Sequence, residues 1–181
     1  FSILAPSIEG VNYKNKYYVK KNISPKVHSM NFVTGCALFF NMDALDVIGK
    51  FDEKIFLYYE ENDLYLRSLK KDFKIYLVEN SQIKHIGNAS TDLINKRDIE
   101  ISRNWHLMWS TFYFHQKHYG LIVAYYKTFF KLLSASFKYF VYSILGKSTL
   151  RKIYYARISG ILNAMMGKKS WFRTKIDKCI D

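Results

Sequence analysis

The sequence predicts a mixed α/β fold that gives way, near Asp98, to a long helical region. Three observations carry this. Short apolar runs rich in β-branched and aromatic residues recur before Asp98, bounded by Gly, Pro, Asn or Ser, as strands are. Helix-start signals fall between those runs, at Asn41 and in the acidic cluster before Leu64. After Asp98 the turn punctuation thins out and helical periodicity takes over.

Taken in order, residues 2–8 read as a short apolar strand already running at Phe1, with no signal-peptide n-region before it, so an upstream portion of the chain is expected. Residues 9–30 read as a polar, Lys/Asn-rich connection with a turn at Ser24-Pro25. Residues 32–40 form a buried-strand candidate interrupted by Gly35, where another group can approach closely or simply pack. Asn41 caps a short helix over residues 42–48, ended by Gly49. A second helix is expected near residues 62–71, with Leu64, Leu66 and Leu69 on its apolar face. Residues 74–78 and 82–86 read as two more strands, and 87–92 as a polar loop. No internal repeat or low-complexity run appears.

At 181 residues and 49% hydrophobic content, the chain is long enough for one compact domain plus an appendage and too apolar for a disordered tail. Cys36 and Cys179 are too few and too differently placed to suggest a disulfide framework, so a reducing compartment is the default. The formal charge of +13 admits nucleic acid, anionic lipid or an acidic substrate as partner. It is unevenly distributed. Residues 148–181 carry Arg151, Lys152, Arg157, Lys168, Lys169, Arg173, Lys175 and Lys178 against only Asp177 and Asp181, whereas residues 43–63 are acidic on balance.

Residues 119–145 form the most informative helical pattern, in which Lys127, Lys131, Ser134 and Lys138 share one narrow stripe and most of the remainder is aromatic or aliphatic. Three lysines make a membrane span costly, but a cationic stripe opposite a broad aromatic face suits a helix lying in a lipid interface. Packing on the domain's own core or on another subunit is the competing reading. No zinc-finger, RNP or helix-turn-helix signature accompanies the charge, which argues against a nucleic-acid partner.

Chemistry concentrates in residues 51–67. Glu60, Glu61 and Asp63 stand where an aromatic segment gives way to a helix, so free backbone N–H groups at the helix start stabilise their charge. Capping and solvation alone would account for such a cluster. His85 at a strand end is compatible with a structural imidazole or a metal ligand. Trp105, His106 and Trp109 follow on the next helix, where they can bound an acceptor or pack in a core, and His115, Lys117 and His118 suit a solvated helix end.

The run Val33-Thr34-Gly35-Cys36-Ala37, then Gly49, Phe51-Asp52-Glu53, Tyr59-Glu60-Glu61-Asn62-Asp63-Leu64 and Lys84-His85 resembles, in order and spacing, the second half of family-two glycosyltransferases of rhamnosyltransferase-like type. Residues 31–92 cover the likeness, and residues 105–119 follow it more loosely. The resemblance implies a partial GT-A (nucleotide-diphospho-sugar transferase) sheet over residues 1–97, and the basic helical region of 98–181 would associate with the anionic, cytoplasmic membrane surface. It implies inverting transfer from a nucleotide-diphosphate sugar to a glycan or lipid-linked acceptor in bacterial envelope polysaccharide synthesis. Glu61 takes the general-base position, flanked by Glu60 and Asp63; Gly35 and Trp105 fall on the substrate side. His85 takes the place of a ligand to Mg2+ or Mn2+.

This sequence departs from the pattern in three ways. Glu61 replaces the usual Asp and is one methylene longer, Lys50 replaces a glycine before Phe51, and no Asp-x-Asp pair occurs anywhere in the chain. The donor-binding half is therefore expected elsewhere, and the chain alone is expected to be inactive. A non-catalytic remnant or docking module is the alternative.

Overall fold

The structure is a computed structural model that describes residues 1–9, 18–24, 26–33, 35–84 and 96–173. It is α/β, and the chain divides into two compact units: Phe1–Asp52 with Glu60–Gly87, and Glu53–Tyr59 with Asn88–Asp181.

The first unit is built on a mixed sheet of β1 (Ile3–Ile8), β2 (Tyr18–Ser24), β3 (Val27–Met30), β4 (Phe39–Phe40) and β5 (Ile75–Ile83), in the order β2-β3-β5-β1-β4. β1 and β5 run parallel, and every other pairing is antiparallel. Alternate residues Ile3 and Ala5 of β1, Ile75 and Leu77 of β5, and Met30 of β3 share one buried cluster, as the two-residue period of a strand requires. The helices α1 (Met42–Ile48) and α2 (Glu60–Lys70) complete that cluster through Ala44, Ile48, Leu64 and Tyr65. In the β1–β5 ladder the register slips between Pro6 and Ser7, and the Ser7 hydroxyl donates to the Glu79 carbonyl at 3.0 Å within the irregularity.

Several expectations are corrected. The polar connection over residues 9–30 contains the hairpin β2–β3, whose pairing depends on the sheet edge offered by β5 rather than on local apolar content. The strand expected over residues 32–40 shrinks to β4, because Gly35 and Cys36 turn the chain while Val33 is buried separately in the core. The two strands expected over 74–78 and 82–86 are one strand, β5, up to Ile83; Ile86 lies outside the described residues. By contrast α1 has the expected bounds: the Asn41 side chain accepts from the Ala44 N–H, and Gly49 ends the helix at φ 88°.

The second unit consists of the segment Glu53–Tyr59 and three long helices, α3 (Lys96–Tyr119), α4 (Leu121–Ile144) and α5 (Ser148–Met165). Trp105, Trp109 and Phe112 of α3 pack with Ala124 of α4 and with Ala156 and Ala164 of α5. The spacing Ala156, Gly160, Ala164 gives α5 a small-residue stripe on which α3 sits closely, and a Cβ on Gly160 would overlap the Trp105 carbonyl. None of the described helices is long and apolar enough to cross a membrane.

Candidate functional site

The chain enters α2 through Tyr58 and Tyr59, which have φ values of 64° and 70°. Consecutive left-handed conformations at bulky residues are strained, and such strain clusters at functional segments. The first turn of α2 then presents Glu60, Glu61 and Asp63, while Arg67 and Lys70 fill its last turn, each sign matched to its end of the helix dipole.

The three acids have different surroundings. Glu61 reaches Gly35, whose backbone N–H donates to its carboxylate. The carboxyl lies where a Cβ on residue 35 would be, so only glycine leaves it room. Burial pushes the Glu61 carboxyl above its ordinary 4.5, the neighbouring Glu60 charge pushes it in the same direction, and the Gly35 bond pulls it partly back. Glu60 has a buried carboxylate oxygen, Oε2, with no hydrogen-bond partner among the described residues. Asp63 is fully buried and takes the Arg67 guanidinium at 2.9 Å. Arg67 in turn donates to the carbonyls of Ile48, Gly49 and Lys50 at 2.7–2.8 Å, so the pair seals the C-terminal end of α1.

One helical turn beyond Glu61, the Tyr65 hydroxyl is buried without a hydrogen-bond partner among the described residues, and its ring meets Phe32 edge-on at 5.4 Å. Burial, then the charges of Glu61, Cys36 and Glu60, hold it firmly protonated. Cys36 beside Gly35 carries an exposed free thiol. The cluster therefore combines a hydrogen-bonded carboxylate of raised proton affinity, a second carboxylate oxygen seeking a donor, and a buried phenol seeking a partner. Of these groups Glu61, which is only partly buried, has the chemistry to accept a proton from a hydroxyl.

Of the sequence candidates, Gly35, Glu60 and Glu61 come together here, and Asp63 supports them from below through Arg67. Tyr65 and Cys36 were not anticipated. The signal for Tyr65 was its i+4 spacing from Glu61, which puts both on one helix face. His85 lies outside the described residues. Among the described residues no three His, Cys, Asp or Glu side chains converge to hold a metal ion. Glu60 and Glu61 offer oxygens of the kind a hard cation takes, but by themselves they do not fit a divalent ion, which needs more ligands.

In the second unit Trp105 is fully buried, and its indole N–H donates to the Ser159 hydroxyl at 3.1 Å, so packing within this unit occupies the face proposed for an acceptor. His106 is also fully buried: Nε2 meets the Phe172 carbonyl at 2.7 Å, and Nδ1 meets the Ser170 hydroxyl at 2.9 Å. Burial lowers its proton affinity, and these bonds fasten the chain after α5 onto α3. Trp109 donates to the Lys168 carbonyl at 2.9 Å and reinforces the same attachment. The Glu53–Tyr59 segment is held on α3 by the Ser110 hydroxyl, which donates to the Leu57 carbonyl at 2.9 Å, and by Tyr59 against Phe114.

No family model, no curated protein and no solved structure matches the chain.

Proposed function

We propose that the chain is the acceptor-side module of an inverting glycosyltransferase of GT-A type, with Glu61 as general base. The observation that carries this reading is the Glu61 carboxylate itself: raised in proton affinity, held by the Gly35 N–H, and bordered by the unpartnered Glu60 oxygen and Tyr65 hydroxyl. A sugar hydroxyl is a weak nucleophile. As its oxygen bonds to the anomeric carbon, the bond from that carbon to the diphosphate breaks, the diphosphate leaves with the electron pair, and the hydroxyl proton passes to Glu61. Displacement from the opposite face inverts the centre.

In this reading Glu60 and Tyr65 orient the acceptor hydroxyl and Asp63, through Arg67, positions the first turn of α2. Gly35 keeps the space that the longer acid needs. The donor, a nucleotide-diphosphate sugar, is held by residues outside these 181, together with Mg2+ or Mn2+ for which His85 is the candidate ligand. The acceptor class is a glycan or lipid-linked saccharide, and the setting is the cytoplasmic membrane face during envelope polysaccharide synthesis. The absence of an Asp-x-Asp pair favours, as the second reading, a non-catalytic docking module.

Glu61→Gln in the enzyme encoded by the complete reading frame separates the two. Release of nucleoside diphosphate in the presence of acceptor is expected to fall by about 10²-fold or more, with donor affinity retained. Unchanged turnover removes Glu61 as the base; donor binding without turnover in the unsubstituted enzyme favours the docking module.

A further inference from the structure

The described surface of α4 is apolar where a soluble helix is normally charged. Its buried side is narrow and small, formed by Ala124, Thr128 and Ala135. On the other side Ile122, Tyr126, Phe130, Phe137, Phe140 and Ile144 are exposed, Ile122 at 86% and Phe137 at 68%. At about 100° per residue they form one continuous face opposite the small-residue stripe. A helix of this length runs about 36 Å at 1.5 Å per residue, so the face is far larger than the scattered apolar residues of an ordinary monomer surface.

The charge around that face has one sign. Lys127, Lys131 and Lys138 are exposed along the flank between the apolar face and the packed stripe. Arg151 and Lys152 are exposed on α5, and no acidic residue occurs between Glu100 and Asp177. A second copy of the same surface would bring cation against cation, with no carboxylate to relieve the repulsion. An anionic bilayer satisfies both features together. Acyl chains take the aromatic face, and the lysines extend their stems along it to reach lipid phosphates. Tyr139 with Tyr155 and Tyr142 with Tyr154 pair at 6.0 and 5.5 Å between α4 and α5, rings of the kind that settle at headgroup depth.

We propose that α4 lies in the plane of an anionic membrane, its Ile122–Ile144 apolar face submerged and its lysine flank at the phosphates. This does not depend on the catalytic reading and stands or falls separately from it.

Flotation of the 181-residue chain with vesicles of phosphatidylcholine, alone or mixed in equal parts with phosphatidylglycerol, tests it. The unsubstituted chain is expected to float with the mixed vesicles and more weakly with phosphatidylcholine. Phe130→Ser with Phe137→Ser, both outward-facing, is expected to lower partitioning to either vesicle by about a hundredfold while circular dichroism keeps its helical signal. Lys127→Gln with Lys131→Gln and Lys138→Gln is expected to lower binding to the mixed vesicles by about a hundredfold and to phosphatidylcholine little. A chain that stays in the aqueous fraction with both vesicles overturns the proposal, as does phenylalanine-pair binding equal to that of the unsubstituted chain. A stable dimer by light scattering that the phenylalanine pair dissolves, without vesicle binding, assigns the face to a second copy instead.

Discussion

Glu61 carries an electrostatic cost and, in the proposed function, a chemical use. Its folded proton affinity is raised above the unfolded value near 4.5, mainly by burial and then by Glu60. Ionising it therefore costs stability: the penalty is absent below the unfolded value and is complete once pH has risen past the folded one. The proposed base must be ionised, so under that proposal activity is expected to rise through the same window in which that stability is lost. Replacing Glu60 by Gln removes the second cause and lowers the Glu61 midpoint. The acid limb of the pH–rate profile of the complete enzyme is expected to move to lower pH in Glu60→Gln, and a limb that stays in place would show that the two carboxylates do not interact. Sequence reasoning found the acid cluster because charge at a helix start is a local signal. It singled out Glu61 only through the family resemblance, because the different surroundings of the three acids depend on Gly35, on Arg67 and on burial, which are tertiary facts.

At the level of elements, the Asp63–Arg67 pair joins α2 to the end of α1. The guanidinium serves a fully buried carboxylate and three carbonyls at once, which a lysine cannot reproduce. Arg67→Ala leaves the Asp63 charge buried without its cation, a change that costs about 3 kcal/mol or more. Denaturant unfolding of Arg67→Ala is expected to show that loss, with Arg67→Lys falling between it and the unsubstituted chain; equal midpoints for all three would show that water replaces the guanidinium. Elements with their own signals were legible, α1 above all, since Asn41 and Gly49 cap it locally. The strands were less so. Residues 32–40 have a strand's composition, yet Gly35 turns there because the turn brings its N–H to Glu61, and the hairpin β2–β3 arises in a polar stretch because β5 offers it an edge.

Across the molecule, the apolar content was legible but its placement was not. In one dimension the aromatic stripe of α4 suits a lipid interface, with core packing as the competing reading, and only the burial of Ala124, Thr128 and Ala135 shows which side packs inward. Trp105 and Trp109 illustrate the reverse: residues with the look of a binding wall are taken up by the helical core and by bonds to Ser159 and Lys168.

The stretch without acids has a further consequence. α4 and α5 carry no carboxylate and no histidine, so their pull on a phosphate-bearing surface comes from lysine and arginine alone. Glu61, by contrast, has its proton affinity raised by burial and by Glu60, so falling pH returns its proton more readily than to an ordinary carboxylate. Under the two proposals together, acidification is expected to silence transfer while the protein stays on its vesicles, a separation that parallel rate and flotation measurements over one pH series would reveal; detachment in step with the loss of rate would contradict it. Such a molecule would wait, still moored, for the proton to leave.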